Sequence, residues 1–130
     1  MSNLVVGNIE AASSGRLSLG KTFGSWTVDS FVDGTDYLAA TDLFVCAYIS
    51  VGNQTAFAID GYTDSAASPT TLLVRDAANY RADGGNTTFV TYGSISFPVK
   101  KGDSWRVESH VISAASGPTD LVINTMAFGA

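Results

Sequence analysis

The chain has 130 residues, of which 45% are hydrophobic and only 15% are charged. A chain of this composition is too apolar to be intrinsically disordered, and its length provides for one domain with one core. The net charge of −5 and the scattered arginines argue against a nucleic-acid partner, because phosphate binding requires clustered Lys and Arg.

The first sixteen residues differ in character from the rest of the chain. An apolar patch, formed by Leu4, Val5, Val6 and Ile9, is followed by a spacer of small residues at positions 11–15. This pattern predicts an arm that docks either as a first strand of the same domain or onto a neighbouring subunit. We therefore divide the chain into an arm, residues 1–16, and one domain, residues 17–130. Residues 1–15 carry no positive charge, so no secretory signal peptide is predicted.

Beyond the arm, short hydrophobic runs are interrupted by Gly, Asn, Asp and Pro about every 8 to 12 residues, as in sandwiches and barrels. No helical periodicity of useful length competes with this pattern. We predict an all-β fold, an antiparallel two-sheet sandwich of jelly-roll type with about ten short strands. The predicted strands are residues 17–22, 25–32, 36–40, 43–50, 56–62, 70–75, 87–92, 94–99, 104–112 and 120–128.

The longest apolar run, residues 43–49, is far shorter than the roughly 20 residues that a membrane-spanning helix needs. It could be read as part of a buried helix, but its aromatic and β-branched residues favour a buried strand. Cys46 lies in this run and is the single cysteine, which excludes an intrachain disulfide. We expect Cys46 to pack in the core, since free cysteine is among the most buried residue types.

The clearest alternation of apolar and polar residues lies in residues 104–112. Trp105, Val107, Ser109 and Val111 point to one side, while Arg106, Glu108 and His110 point to the other. This pattern predicts one buried face and one solvated face.

A turn before this strand, residues 100–103, contains Gly102 and predicts a β-hairpin between residues 94–99 and 104–112. Pro98 cannot donate a ladder hydrogen bond, so its strand is expected at an edge or with that position facing outward.

Eleven of the fourteen aromatic residues divide into two groups by position. Three tyrosines lie near predicted loops and could stack against sugar rings, as in lectins; they are Tyr62, Tyr80 and Tyr92. The other eight are predicted core residues: Trp26, Phe31, Phe44, Phe57, Phe89, Phe97, Trp105 and Phe128. Residues 64–69 and 83–86 are small, polar and rich in turn formers, and are the predicted exposed tips.

The sequence gives no support to an enzyme. His110 is the single histidine, it lies on the polar side of a regular strand, and no Gly-x-Ser-x-Gly elbow accompanies it. A zinc site would need more His and Cys ligands than the chain contains. Two aspartate clusters, residues 33–36 and 60–64, do not match the twelve-residue calcium loop, and no nucleotide-binding motif is present. We expect no catalytic residues, no cofactor and no metal.

Three segments resemble the small trimeric jelly-roll domains of tailed-phage structural proteins, which are related in shape to the tumour-necrosis-factor and complement C1q folds. Residues 21–27 followed by 37–45 are similar to the opening of such domains, although Leu43 stands where their T-A-x-x-D-G-F-V pattern has glycine. Residues 95–105 are similar to their S-x-P-V-x-K-G-D hairpin, and the apolar final strand matches as well. The resemblance implies a homotrimer on a virion, made in the host cytoplasm, with no catalytic residues.

Two virion roles compete within this resemblance. A tail-fibre tip normally ends a long chain with a shaft, and no shaft is seen here, which favours a capsid decoration (cement) protein bound to the major capsid protein. The alternative is a receptor-binding or lectin-like module that recognises a host surface glycan or receptor. The expected partner contacts are the arm, through Leu4, Val5, Val6 and Ile9, and the loop regions, through Tyr62, Asp64, Tyr80 and Asp83.

Overall fold

A computed structural model describes residues 23–52, 56–79, 90–113 and 119–128. Within these ranges the chain forms eight strands and no helix, so nothing in them is a helix able to cross a membrane. The strands are β1 (Phe23–Thr27), β2 (Tyr37–Leu38), β3 (Leu43–Gly52), β4 (Ala56–Asp64), β5 (Leu72–Asn79), β6 (Val90–Val99), β7 (Ser104–Ser113) and β8 (Thr119–Phe128).

The all-β prediction is confirmed, with eight described strands in place of the ten expected. Residues 87–92 and 94–99 were predicted as two strands, but Val90–Val99 is one strand because its ladder to β3 continues past Gly93 without a break. The strand predicted at residues 17–22 lies outside the described residues.

The eight strands form two antiparallel four-stranded sheets. Sheet A has the order β1-β8-β3-β6, and sheet B has the order β2-β7-β4-β5. Strand β1 therefore pairs with β8, β2 with β7, β3 with β6, and β4 with β5. One long antiparallel hairpin wound over two sheets produces this pairing, which is the jelly-roll arrangement that the sequence predicts.

The core lies between the two sheets and follows from the period-two alternation of strand side chains. In β3, for example, Val45 and Ile49 point inward and are fully buried, whereas Tyr48 between them points outward. Phe97 of β6 packs across the core against Gly61, where a Cβ atom would lie 2.5 Å from the ring Cε1. Other fully or nearly fully buried core residues are Val51, Ile59, Val99, Trp105, Val107 and Ile123.

The turn at residues 100–103 is present, but the predicted hairpin is wrong. Gly102 has φ +88 and the Asp103 amide donates to the Lys100 carbonyl at 3.0 Å, as a tight turn requires. The turn leads from β6 in sheet A to β7 in sheet B, so the two strands do not pair. It is held by the β2–β3 connection, where the Ala39 amide donates to Asp103 and the Gly102 amide donates to Ala39.

Two expectations about individual strands are confirmed. Pro98 lies in β6, which is an edge strand of sheet A. Proline has no backbone N–H group, and an edge strand tolerates this because one of its sides has no neighbouring strand. In β7, Trp105 and Val107 are each 1% exposed, while His110 is exposed. The predicted burial of Val111 on the same side is wrong: Val111 still pairs with Phe57 in β4, next to the irregularity between Ala56 and Phe57, but is 51% exposed.

Candidate functional site

The outer surface of sheet A is apolar along much of its length. We call this surface the apolar face and define it by the outward side chains of Phe23, Trp26, Phe44, Cys46, Tyr48, Tyr92, Met126 and Phe128. Four of its aromatic rings are strongly exposed, with 72% of Phe23, 49% of Trp26, 39% of Tyr48 and 68% of Tyr92 open to solvent. Among the described residues that point outward from the strands of sheet A, Asp120 alone carries a charge.

One end of the apolar face forms a groove with a volume of about 400 Å³. Phe128 is its central wall, with its ring centroid 5.3 Å from that of Phe23 and 5.7 Å from that of Phe44. Trp26, Cys46 and Met126 complete the lining. Burial raises the pKa of the Cys46 thiol, so the thiol adds no charge to the groove near neutral pH.

The apolar face corrects two predictions from the sequence. Cys46 is partly buried on the outer surface and does not lie in the core between the sheets, because the inward positions of β3 are those of Val45 and Ala47. Trp26, Phe44 and Phe128 are also outward, so their assignment to the core is wrong. Of the other predicted core aromatics, Phe97 and Trp105 are buried, Phe31 and Phe57 pack against the core, and Phe89 lies outside the described residues.

The outer surface of sheet B is a network of charged side chains. We call it the charged face and define it by Asp60, Tyr62, Arg75, Arg106, Glu108 and His110. Its centre is Asp60, which is 1% exposed although it points away from the core. Arg75 on the neighbouring β5 strand donates to both carboxylate oxygens, from Nε at 2.5 Å and from the second guanidinium nitrogen at 2.7 Å. His110 Nδ1 lies 3.5 Å from Asp60 Oδ2.

The bidentate contact with Arg75 is the main reason why the pKa of Asp60 lies below its usual range, with smaller effects from Tyr62 and His110. The pKa of Arg75 is raised by the same contact. Arg75 remains half exposed. The pair is therefore a buried carboxylate covered by a cation that still touches water.

Tyr62 and Arg106 extend the network towards β2. The Tyr62 hydroxyl donates to Asp60 Oδ2 at 3.2 Å, and the Arg106 guanidinium lies 4.7 Å from the centroid of the Tyr62 ring. Desolvation, followed by the charge of Asp60, raises the pKa of Tyr62. Arg106 also donates to Asp36 at 2.8 Å, and its Nε lies 3.2 Å from Glu108. One face of the Tyr62 ring and its hydroxyl are thus already occupied, which leaves little of this side chain for stacking against a sugar.

Asp64 organises the loop between β4 and β5. Its carboxylate accepts backbone amide hydrogens from Ala66 at 2.9 Å, Thr70 at 2.8 Å and Thr71 at 2.9 Å. These bonds, led by that from Thr70, lower the pKa of Asp64 to about 2. Residues 65–68 of this loop are exposed, as predicted for a tip, while Pro69 is buried.

The eight predicted contact residues divide between described and undescribed parts of the chain. Tyr62 lies on the charged face and Asp64 at the end of β4, where the loop to β5 begins; their role in binding a partner stays a prediction. The others, Leu4, Val5, Val6, Ile9, Tyr80 and Asp83, lie outside the described residues. Within the described ranges, no group of three or more His, Cys, Asp and Glu side chains is placed to hold a metal ion.

Sequence reasoning missed both outer faces as units. The charged face contains residues from three strands, and the sequence does not give the register in which these strands pair. Asp60 is a usable signal in the sequence, because a carboxylate within the apolar segment 56–62 needs a partner. The apolar face could not be recognised from β3, because the inward and the outward positions of this strand are both largely apolar.

Comparisons with protein-family models, with curated proteins and with solved structures find no match to this chain. The jelly-roll arrangement is therefore assigned from strand order and pairing. The chemistry of the two outer faces is the basis for a functional interpretation.

Proposed function

We propose that this protein is a structural component of a bacteriophage virion, a capsid decoration (cement) protein that binds the assembled shell as a homotrimer. The observation that supports this proposal most is the apolar face. The largest exposed apolar patch on a soluble protein often marks a surface that binds another protein, a membrane or a ligand. The phage assignment comes from the resemblance of residues 21–27, 37–45 and 95–105 to phage jelly-roll domains.

The size of the apolar face suits association between folded proteins. Aromatic side chains each present about 150–250 Å², so the four exposed rings leave roughly 450 Å² for a partner to cover. A standard interface takes about 800 Å² from each partner, so these rings alone would supply about half of it. Aromatic residues are also enriched in interfaces, whereas charged residues are depleted from their centres.

The charge distribution favours copies of the same chain as the first partner. The chain has a net charge of −5, so two copies repel each other on average. On the apolar face that repulsion is least, because the strands there expose one charged residue, Asp120, at the end away from the groove. Three copies packed through this face would leave the charged faces on the outside of the assembly.

Binding to an assembled capsid would stabilise the shell by mass action, because a ligand that binds only the closed lattice opposes its opening. The partner in this proposal is the major capsid protein.

Purified phage particles and the recombinant protein provide the test. We expect the protein to co-sediment with capsids, and particles that lack it to rupture at a lower temperature than complete ones. Light scattering should give the mass of a trimer at micromolar concentration. Absence of the protein from purified particles would contradict the decoration role, and a monomer at that concentration would contradict self-assembly.

A further inference from the structure

The groove at the end of the apolar face has the shape and chemistry of a site for a short apolar segment. We propose that it binds residues 4–9 from the N-terminal arm of a neighbouring copy, so that the subunits are tied together by exchanged arms. As in the proposed function, copies of the chain must meet through the apolar face for this exchange to occur, so the proposal rests on that part of the proposed function.

The chemistry of the groove restricts what it can bind. Its walls are five apolar side chains and the uncharged Cys46 thiol, so a charged or strongly polar group placed there would lose water without gaining a partner. Residues 4–9 carry no charge, and four of the six are Leu4, Val5, Val6 and Ile9. Burial of such apolar side chains is favourable, because it removes their surface from water.

The position at which the described chain begins makes this segment available. Phe23 lines the groove, so the chain that leads back through residues 17–22 to the arm joins the described strands at the groove. Residues 10–22 link Phe23 to the apolar patch and can span at most about 45 Å when fully extended. That reach exceeds the length of any strand in the sandwich.

The exchange between copies follows from the same geometry. In an assembly formed through the apolar face, each copy contributes its own Phe23, and therefore the root of its arm, to the interface. The arm of one copy then starts beside the groove of the next. The folded domain of a neighbour is a poorer occupant of the groove, since a sheet surface cannot insert side chains as deeply as a single extended segment.

Cys46 provides a direct test, because it lines the groove and is the single cysteine of the chain. One chain carries the double substitution V6C/C46S and the other chain is unmodified. When the two are mixed and oxidised with oxidised glutathione, a disulfide between the introduced thiol and Cys46 can form only between chains. One of the two chains carries a size tag, so that denaturing electrophoresis without reductant separates the mixed dimer from the two possible dimers of like chains and measures its yield.

In the control mixture the V6C/C46S chain also carries L4D and I9D. We expect the yield of linked dimer to be about tenfold higher without these two charges than with them, which corresponds to about 1.4 kcal/mol of binding free energy for the segment. The charged variant keeps the same thiol on the same tether, so it controls for collisions that need no docking. Circular dichroism should show the same β-structure for both chains.

Sedimentation velocity on the same samples separates the two proposals. Assembled protein with equal cross-linking in both mixtures would overturn the arm exchange and leave assembly through the apolar face intact. Monomeric protein would overturn both. If the single chain V6C, with Cys46 retained, cross-links only within itself, the groove belongs to the arm of the same chain and the exchange between copies is wrong.

Discussion

The outer faces of sheets A and B have the same strand geometry and opposite chemistry. On the charged face, Asp60 is covered by Arg75, Tyr62 and His110, so its ionised groups are satisfied within the chain. On the apolar face, rings such as Phe23 and Trp26 remain exposed to water. A surface whose polar groups are already paired gains little from a partner, whereas an exposed apolar surface gains free energy when it is covered. This difference is the reason why we propose sheet A as the side for assembly, while the paired groups of sheet B are expected to stabilise the single domain.

The largest expected effect is that of a charge on the apolar face. Replacement of Phe23 by glutamate (F23E) should weaken self-association about 100-fold, or about 2.7 kcal/mol, because central aromatic residues dominate interface energies. Phe23 is 72% exposed in the single chain, so the substitution should leave the fold unchanged. Analytical ultracentrifugation over a range of concentrations measures the association constant.

Leu38 provides the matched control for F23E. It is 71% exposed but lies in β2 of sheet B, so L38E makes a similar change away from the apolar face. L38E should leave association unchanged within about twofold, which is about 0.4 kcal/mol. Equal loss in both variants would remove the distinction between the two faces.

The second effect concerns stability and the charged face. Replacement of Asp60 by alanine (D60A) should lower the free energy of unfolding by about 2 kcal/mol, because Arg75 loses both hydrogen bonds while Tyr62 and His110 lose an acceptor. The loss is limited because Arg75 is half exposed and can regain water. Urea unfolding of the isolated domain at neutral pH measures the change.

Glu108 is the control for D60A, since it lies on the same face but is 44% exposed at the side chain. E108Q should change stability by less than about 1 kcal/mol, as is usual for exposed ion pairs. Self-association of D60A, measured without denaturant where the variant is folded, should match that of the unmodified chain. A D60A protein that is fully stable but monomeric would reverse the roles of the two faces.

The third effect is a pH dependence that originates from sheet B and its loop. The pKa of Asp64 is about 2 and that of Asp60 is also lowered, while unfolded aspartate titrates near its ordinary value of 3.8. Groups with a lowered folded pKa stabilise the fold above the unfolded pKa, and this contribution is lost as the pH falls through the folded pKa. Stability should therefore decline from about pH 4 towards pH 2.

Asp64 allows this decline to be assigned. In the variant D64N the amide oxygen can still accept from the Thr70 and Thr71 amides, while the amide nitrogen cannot accept from Ala66 and the residue no longer titrates. The difference in urea midpoint between D64N and the unmodified chain should be present at about pH 5 and shrink as the pH approaches 2. A constant difference across this range would show that the Asp64 charge contributes nothing to the acid sensitivity.

The sequence predicts the fold class well because strand alternation and turn residues are local signals. Residues 104–112 and Gly102 are both in the predicted conformations. The sheet to which each strand belongs is a non-local property. The turn at residues 100–103 has the geometry of a hairpin turn, and only the stronger ladders of β6 with β3 and of β7 with β4 send its two strands into different sheets.

The candidate site was less predictable, for a related reason. Alternation separates the two sides of a strand but does not say which side is covered. The outward residues of β3 are as apolar as its inward residues, so the sequence predicts a core position for both sides. The outward residues are Phe44, Cys46 and Tyr48, and the inward ones are Val45, Ala47 and Ile49. Within the described residues the outward side of β3 is only partly covered, which is why a partner for this side is proposed and was not predicted from the alternation.

The smallest expected effect distinguishes the groove from the true core. If Cys46 lay between the sheets, replacement by serine (C46S) would bury an unsatisfied hydroxyl at a cost of about 1–3 kcal/mol. Because Cys46 is partly exposed on the apolar face, C46S should lower the stability of the single domain by less than about 0.5 kcal/mol, as for most surface substitutions. Urea unfolding at low concentration measures this value, and A47S, a change at the adjacent inward position that is 3% exposed, supplies the core comparison. A loss for C46S as large as that for A47S would place the thiol in the core and would remove the groove as a site for the neighbouring arm.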